Sequence, residues 1–256
     1  MILKGFHLTH HEAFDLFRRF IRIFLRYGFL SNKMINKIKA YQEILNNFNA
    51  PATFFITAKP LEKHIQALSK CIEQNIEIGI HGYEHLDYTK LSNDVVHSHF
   101  RKAKKIFEDN HIKVSLYRFP YLKHSEKFLS ILKGLSLDCD CSTTIYWGND
   151  AEHCNQDRIK LQSLKTYLDQ YEWKSADSSI SIPRVTDGVV EIPVSLPDDD
   201  LLERAHLLNP QTVQNIWGEI LRQTYFRGEL FTLQLHQERI FLFCYRRREN
   251  AINVAI

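Results

Sequence analysis

The sequence predicts an α/β barrel, and three observations lead there. Short apolar runs alternate with helical stretches along most of the chain, the pattern of repeated βαβ units and a parallel sheet. The chain is 256 residues long, a length at which such a barrel is commonly one unit. Almost every apolar run also ends in a residue able to do chemistry, as expected where functional side chains gather at the C-terminal ends of parallel strands. No repeat, low-complexity tract or linker interrupts the pattern, so a single domain over residues 1–256 is expected.

The elements follow in order. ILKGFHLT reads as a first strand ending near Thr9–His11, and residues 12–49 as two helices broken near Gly28–Asn32. PATFFITA, led by Pro51 and rich in Phe and Thr, is a buried strand; Leu61–Asn75 is helical, and Ile76–His81 (IEIGIH) a second buried strand. Asn93–Asn110 forms a helix after a Ser92/Asn93 cap signal. VSLYRFP is a strand entering a Pro turn, Ser125–Gly134 a helix, and LSLDCDCST a fourth strand. Residues 148–179 read as an irregular loop. Val189–Ser195 is a strand, PDDD a turn whose Asp198–Asp200 read as solvated with a cation site as the alternative, Pro210–Arg227 a helix, and Glu229–His236 (ELFTLQLH) the last clear strand. The chain then ends at INVAI, so a closing strand of the barrel is expected to be missing.

Composition narrows the function classes. Apolar residues at 44% and charged residues at 25% are the balance of an ordinary soluble globular protein. A formal net charge of +3 gives no basis for a nucleic-acid partner. The five cysteines are an odd number without a CxxC pair, which favours a reduced, intracellular protein. The N-terminus lacks the basic start and apolar core of a signal peptide, and the apolar runs fall short of the ~20 residues that span a bilayer. A cytoplasmic location is expected.

The histidines number 13 and carry the strongest chemical signal. His81 and His85, in HGYEH at the end of an apolar strand, suit two imidazoles converging on one divalent ion. His10, His11 and Glu12 follow the first strand. Arg118 and Tyr121 follow VSLY, Asp138 and Asp140 lie in LSLDCD, and His236 closes FTLQL.

PATFFITA, IGIHGYEHLDYTKLS, RFPY and LQLH resemble, in type and order over roughly residues 3–240, the motifs of the polysaccharide deacetylases of the NodB type. The resemblance implies a distorted (β/α) barrel of the polysaccharide deacetylase type, TIM-barrel-like. It implies His81 and His85 as metal ligands, and Arg118 as the arginine that orients the catalytic base. Tyr121 would hold the oxyanion through its backbone N–H. Asp140, or else Asp138, would orient and charge the last histidine, and His236 would protonate the departing amine. The reaction implied is metal-assisted removal of an N-acetyl or N-formyl group from a sugar, with zinc expected and cobalt or iron as alternatives.

The first motif departs from the family. Where two adjacent aspartates are usual, this chain has LTHHEAF, which puts His11 at the base position and Glu12 at the third ligand position, with Asp15 another candidate ligand. A carbohydrate- or metal-binding protein without turnover is the rival reading. LSLDCDCST also fits the Asp-x-Asp motif of haloacid-dehalogenase-type phosphatases, which would leave the histidines unexplained. Leu16–Leu30 forms a basic amphipathic helix with Arg18, Arg22 and Arg26 at four-residue spacing, suited to an anionic membrane surface. VVEIPVSLPDDD is similar to a stretch in deformylases acting on undecaprenyl-linked aminoarabinose, which implies a lipid-linked sugar at the inner membrane face.

Overall fold

The computed structural model describes residues 32–69, 76–123, 125–146, 181–205, 207 and 209–236. The expectations for the first strand, the basic helix at 16–30, the loop at 148–179 and the C-terminal tail lie outside the described residues.

Helix α1 (Asn32–Asn47) leads through a turn to strand β1 (Ala52–Ile56), then α2 (Ala58–Ser69) and β2 (Ile76–Ile80). These two strands pair in parallel from Ala52 opposite Ile76 to Ile56 opposite Ile80. After α3 (Asn93–Asp109) come β3 (Leu116–Tyr117), α4 (Leu129–Gly134) and β4 (Cys139–Asp140), each new strand parallel to the last. Strand β5 (Thr144–Tyr146) follows β4 after three residues. A tight turn at Asp187–Gly188, both at positive φ, joins β6 (Arg184–Thr186) to β7 (Val189–Glu191), an antiparallel hairpin. Strand β7 pairs in parallel with β4, and β8 (Val194–Leu196) with β5. Val189–Ser195 therefore forms two strands rather than the one expected. Pro193 between them has no N–H to donate, so the ladder stops and resumes at an angle.

The pleat decides which residues face the helices. Ile76, Ile78 and Ile80 are buried in one cluster with Val96, Phe100, Ala103 and Phe107, the inward stripe of α3. Tyr117 is level with Ile80, and Asp140 with Tyr117, so all three share the helix-facing side. Thr53, Phe55, Glu77, Gly79, Leu116 and Cys139 take the opposite, inner face. Gly79 has a packing reason: a Cβ there would lie 2.5 Å from the Phe55 ring. Beyond the strand ends the ladder continues through His81 N–H to Ile56 O, Arg118 N–H to Ile80 O and Cys141 N–H to Tyr117 O (2.9, 2.9 and 2.8 Å). This row of His81, Arg118 and Cys141 falls back on the inner face.

The last helices are α5 (Asp199–Arg204) and α6 (Pro210–Arg227). Asn209 caps α6 by accepting from Gln211 N–H, Pro210 occupies its first turn, and Gly228 closes it at φ 66°. The aspartate run is not the solvated turn expected. Asp198 is the N-cap of α5, accepting from Leu201 N–H at 2.9 Å, and both Asp198 and Asp199 are buried. Residues 229–236 run extended without a regular ladder, because they bond to side chains as much as backbone. Thr232 N–H donates to Ser195 Oγ (3.2 Å) and Gln234 Nε2 to Asp198 Oδ2 (2.9 Å). Among the described residues no helix is long and apolar enough to cross a membrane.

Phe100 sits among Tyr88, Tyr117, Phe119 and Phe128, with ring centroids 4.6–6.3 Å away. Phe100→Ala is expected to lower the unfolding free energy by about 3–5 kcal/mol in urea titration; a loss under about 1 kcal/mol would show that this cluster does not carry the core.

Burial pushes the Asp198 carboxyl up to about 6 from its ordinary value near 3.8. The native state thus holds this proton more tightly than the unfolded chain. The stability it contributes is present below pH ~4 and is lost as pH rises through about 6. Asn at this position can keep the Leu201 cap and donate to Gln234 Oε1, which has no partner among the described residues. The Asp198→Asn variant is therefore expected to gain on the wild type by up to about 3 kcal/mol between pH 4 and 7. Parallel stability curves for the two proteins would contradict this.

Candidate active site

The residues at the C-terminal ends of the strands converge as a set of coupled loops. Arg118 Nε donates to Cys141 O at 2.9 Å, and its guanidinium lies over the Phe55 ring, 4.1 Å from the centroid. Arg118 O in turn holds His81 Nδ1 at 2.8 Å. A carbonyl only accepts, so Nδ1 of His81 carries the proton and Nε2 presents a lone pair. Burial first, then the neighbouring His85, pulls the His81 pKa down to about 3, so this imidazole is neutral near pH 7. The His85 ring stands edge-on to it with centroids 5.0 Å apart.

On its other side, His85 meets the Tyr121 ring at 4.5 Å. Tyr121 and Leu122 both take left-handed backbone angles (φ 61° and 54°), unusual for residues with side chains and a store of about 1–3 kcal/mol each. The turn is tied to the histidine loop by Lys123 Nζ, which donates to Asp87 Oδ2 at 2.9 Å. The other oxygen of Asp87 accepts from Thr89 N–H and Oγ1.

His236 arrives from the extended segment. Its Nδ1 lies 2.6 Å from Asp199 Oδ1, and its backbone N–H donates to Asp199 Oδ2 at 2.8 Å. Asp199 is fully buried in the first turn of α5, where the helix N-terminus favours a carboxylate. His236 belongs to the same region as His81, since its charge contributes to depressing the His81 pKa. Alternation along residues 229–236 aims Thr232, Gln234 and His236 at Ser195, Asp198 and Asp199 in turn.

The partner of His236 is thus Asp199, where the sequence pointed to Asp140. Asp140 lies one residue out of phase with Arg118 and Cys141, on the helix-facing side, fully buried. It accepts a hydrogen bond from Ser142 Oγ, whose oxygen also receives Phe119 N–H at 2.7 Å. Asp140 and Asp198 both act on Arg118 through their charge. Asp138, the other candidate, is exposed. His11, Glu12 and Asp15 lie outside the described residues. The sequence reading favours a solvated turn at Asp198 and Asp199 and does not single out Asp87 or Lys123. An aspartate run directly before a helix was the available signal for the first two, as an N-cap anchors its own helix and buries readily beside an incoming strand.

Two sets of groups could hold a metal ion. Asp198, Asp199 and His236 bring ligand atoms within 4.8 Å of one another. Their carboxylate oxygens, however, already accept from Leu201 N–H, Gln234 Nε2 and the backbone N–H and ring Nδ1 of His236. With Nδ1 protonated toward Asp199, this trio is already joined by hydrogen bonds. His81 and His85 fit a divalent ion better: two adjacent imidazoles, of which His81 is neutral and has its tautomer set by a backbone carbonyl so that Nε2 faces away from that bond.

Comparisons with known proteins bear on the fold that carries this arrangement. The sequence model of the polysaccharide deacetylase family matches residues 35–139. A polysaccharide deacetylase structure from Mycobacterium smegmatis superposes with a TM-score of 0.53 at 17% identity, covering 80% of this chain and 63% of that one. The PuuE allantoinase structure superposes with a TM-score of 0.57 at 13% identity, covering 84% of this chain and 67% of that one. The chain thus spans under two thirds of the mycobacterial protein. No curated protein matches the sequence. These likenesses establish the (β/α) barrel-type fold with its mostly parallel sheet. Over residues 35–139, under half of the chain, the sequence is similar to the polysaccharide deacetylase family.

Proposed function

We propose that the chain is a metal-dependent hydrolase that removes an N-acetyl or N-formyl group from a sugar, with His236 and Asp199 as its proton-transfer pair. The observation that carries this reading is the doubly bonded Asp199–His236 contact beside the His81–His85 pair. Asp199 holds Nδ1–H, which leaves Nε2 as the atom that gives a proton to the departing amine. The buried carboxylate also stabilises the imidazolium form that must exist before the transfer.

His81 and His85 would hold the divalent ion, zinc first by its preference for imidazole, with Glu12 as the third ligand. When bound, the ion supplies Lewis acidity toward the acyl carbonyl and the attacking water. His11 would take the proton from that water. Arg118, fixed on Phe55 and Cys141 O, would keep the base and the His81 ring in place. The backbone N–H of Tyr121, in its left-handed turn beside His85, would donate to the developing oxyanion. A carbohydrate substrate, polymeric or lipid-linked, and a cytoplasmic site of action complete the proposal. A second reading, sugar binding without turnover, is favoured by one feature alone: LTHHEAF lacks the adjacent aspartates usual in the first motif.

Release of free amine from N-acetylglucosamine oligomers, with added zinc, cobalt or iron, tests the activity. Asp199→Asn is expected to lower kcat by about 10²–10⁴, because an amide in place of the carboxylate favours the wrong tautomer. Asp140→Asn should cost under about tenfold, since its partner is Ser142. The reverse order of effects would return the role to Asp140.

Metal content provides an independent test. The purified wild type is expected to bind close to one divalent ion per chain, while His81→Ala retains under about a tenth of it. Equal metal content in the two proteins would remove the His81–His85 site from the proposal.

A further inference from the structure

We propose that Cys139 and Cys141 form a reversible disulfide when the protein meets a peroxide, making the inner face of β4 a thiol modification site that Arg118 reads. Strand alternation puts both side chains on the same side of the chain, with Sγ atoms 3.8 Å apart and both thiols free. The two differ in access and acidity. Cys139 is half-buried, whereas Cys141 is 4% exposed. The hydrogen bond from Cys141 stabilises the Cys139 thiolate and lowers its pKa, while the same contact and burial raise that of Cys141. Cys139 is therefore the attacking sulfur and Cys141 the resolving one.

The chemistry balances with a peroxide as oxidant. The Cys139 thiolate attacks one oxygen of hydrogen peroxide, the O–O bond breaks, and the departing hydroxide takes a proton to become water. Cys139 is left as a sulfenic acid. The Cys141 sulfur then attacks the Cys139 sulfur, the S–O bond breaks, and hydroxide leaves with the Cys141 proton as a second water. Two thiols and one peroxide give one disulfide and two waters; sulfur is oxidised and peroxide oxygen reduced. A small oxidant suits a half-buried thiol.

Bridging requires the sulfurs to close from 3.8 Å to about 2.05 Å, across two residues of an extended strand. The strand must bend at Cys141 to allow it. The Cys141 carbonyl holds Arg118 Nε, and the Arg118 carbonyl holds the His81 ring, so the bend is passed along this row toward the proposed metal ligands. A bridge that distorts its strand is the readily reduced kind, suited to reversal.

The bond itself is tested on the full chain, independently of any activity. After hydrogen peroxide and alkylation of remaining thiols, the peptide holding both cysteines should be unalkylated and lighter by two hydrogens, and dithiothreitol should restore alkylation. Cys139→Ser should prevent this. Full alkylation of both thiols after peroxide, or pairing of Cys139 with Cys71, Cys154 or Cys244 instead, would overturn the proposal. The coupling is read from solvent exchange of the Arg118 Nε–H by NMR, expected to speed up at least about tenfold on oxidation in the wild type and not in Cys139→Ser. An unchanged exchange rate would overturn the coupling. Deacetylation, the one readout that rests on the proposed function, should fall on oxidation and recover with dithiothreitol. If neither form deacetylates while bond and exchange behave as expected, it is the proposed function that fails.

Discussion

A single buried carboxylate anchors the end of this barrel where the candidate site lies. Asp199 meets His236 with both oxygens, one on the backbone N–H and one on the ring. An unpaired carboxylate in that position would be costly, so burial and pairing enforce each other. The N-terminal turn of α5 adds a favourable field, and the neighbouring Asp198 fastens Gln234 two residues earlier. Together the two aspartates fix the register of a segment that has no regular ladder of its own. The position of His236 depends on α5, and the cap of α5 depends on Asp198.

The other half of the site is organised by the pleat. His81, Arg118 and Cys141 follow their strands by one residue, and each side-chain nitrogen of the first two reaches the backbone carbonyl one strand over. The tautomer of His81 is therefore set by sheet geometry rather than by a titratable partner, and burial keeps the ring neutral. Phe55 fills the space that Gly79 leaves and offers its face to Arg118. Two of the left-handed residues, Tyr121 and Leu122, adjoin His85, where the Lys123–Asp87 ion pair ties their turn to the histidine loop.

Much of this was legible in the sequence. Alternating apolar runs and helical stretches revealed the parallel βαβ order, and α6 begins and ends where its Pro and Gly signals put it. HGYEH and RFPY marked two loops that do meet, through His85 and Tyr121. The assignment of the acid partner failed for a reason of parity: Asp140 is close to the site along the chain, yet it faces the helices with Tyr117. Three consecutive acids suggest solvent, and only the tertiary position of α5 buries the first two, Asp198 and Asp199. Pro193 splits the one expected strand in two, a break whose local signal is the proline itself.

The claim at the centre is that Asp199 fixes the tautomer of His236. Long-range nitrogen–proton correlation spectra of the histidine side chains measure this directly. The account predicts a His236 ring protonated at Nδ1, with a low-field proton signal that disappears when Asp199 is replaced by Asn and persists when Asp140 is. A His236 ring carrying its proton at Nε2, or a signal that follows Asp140 instead, would contradict it.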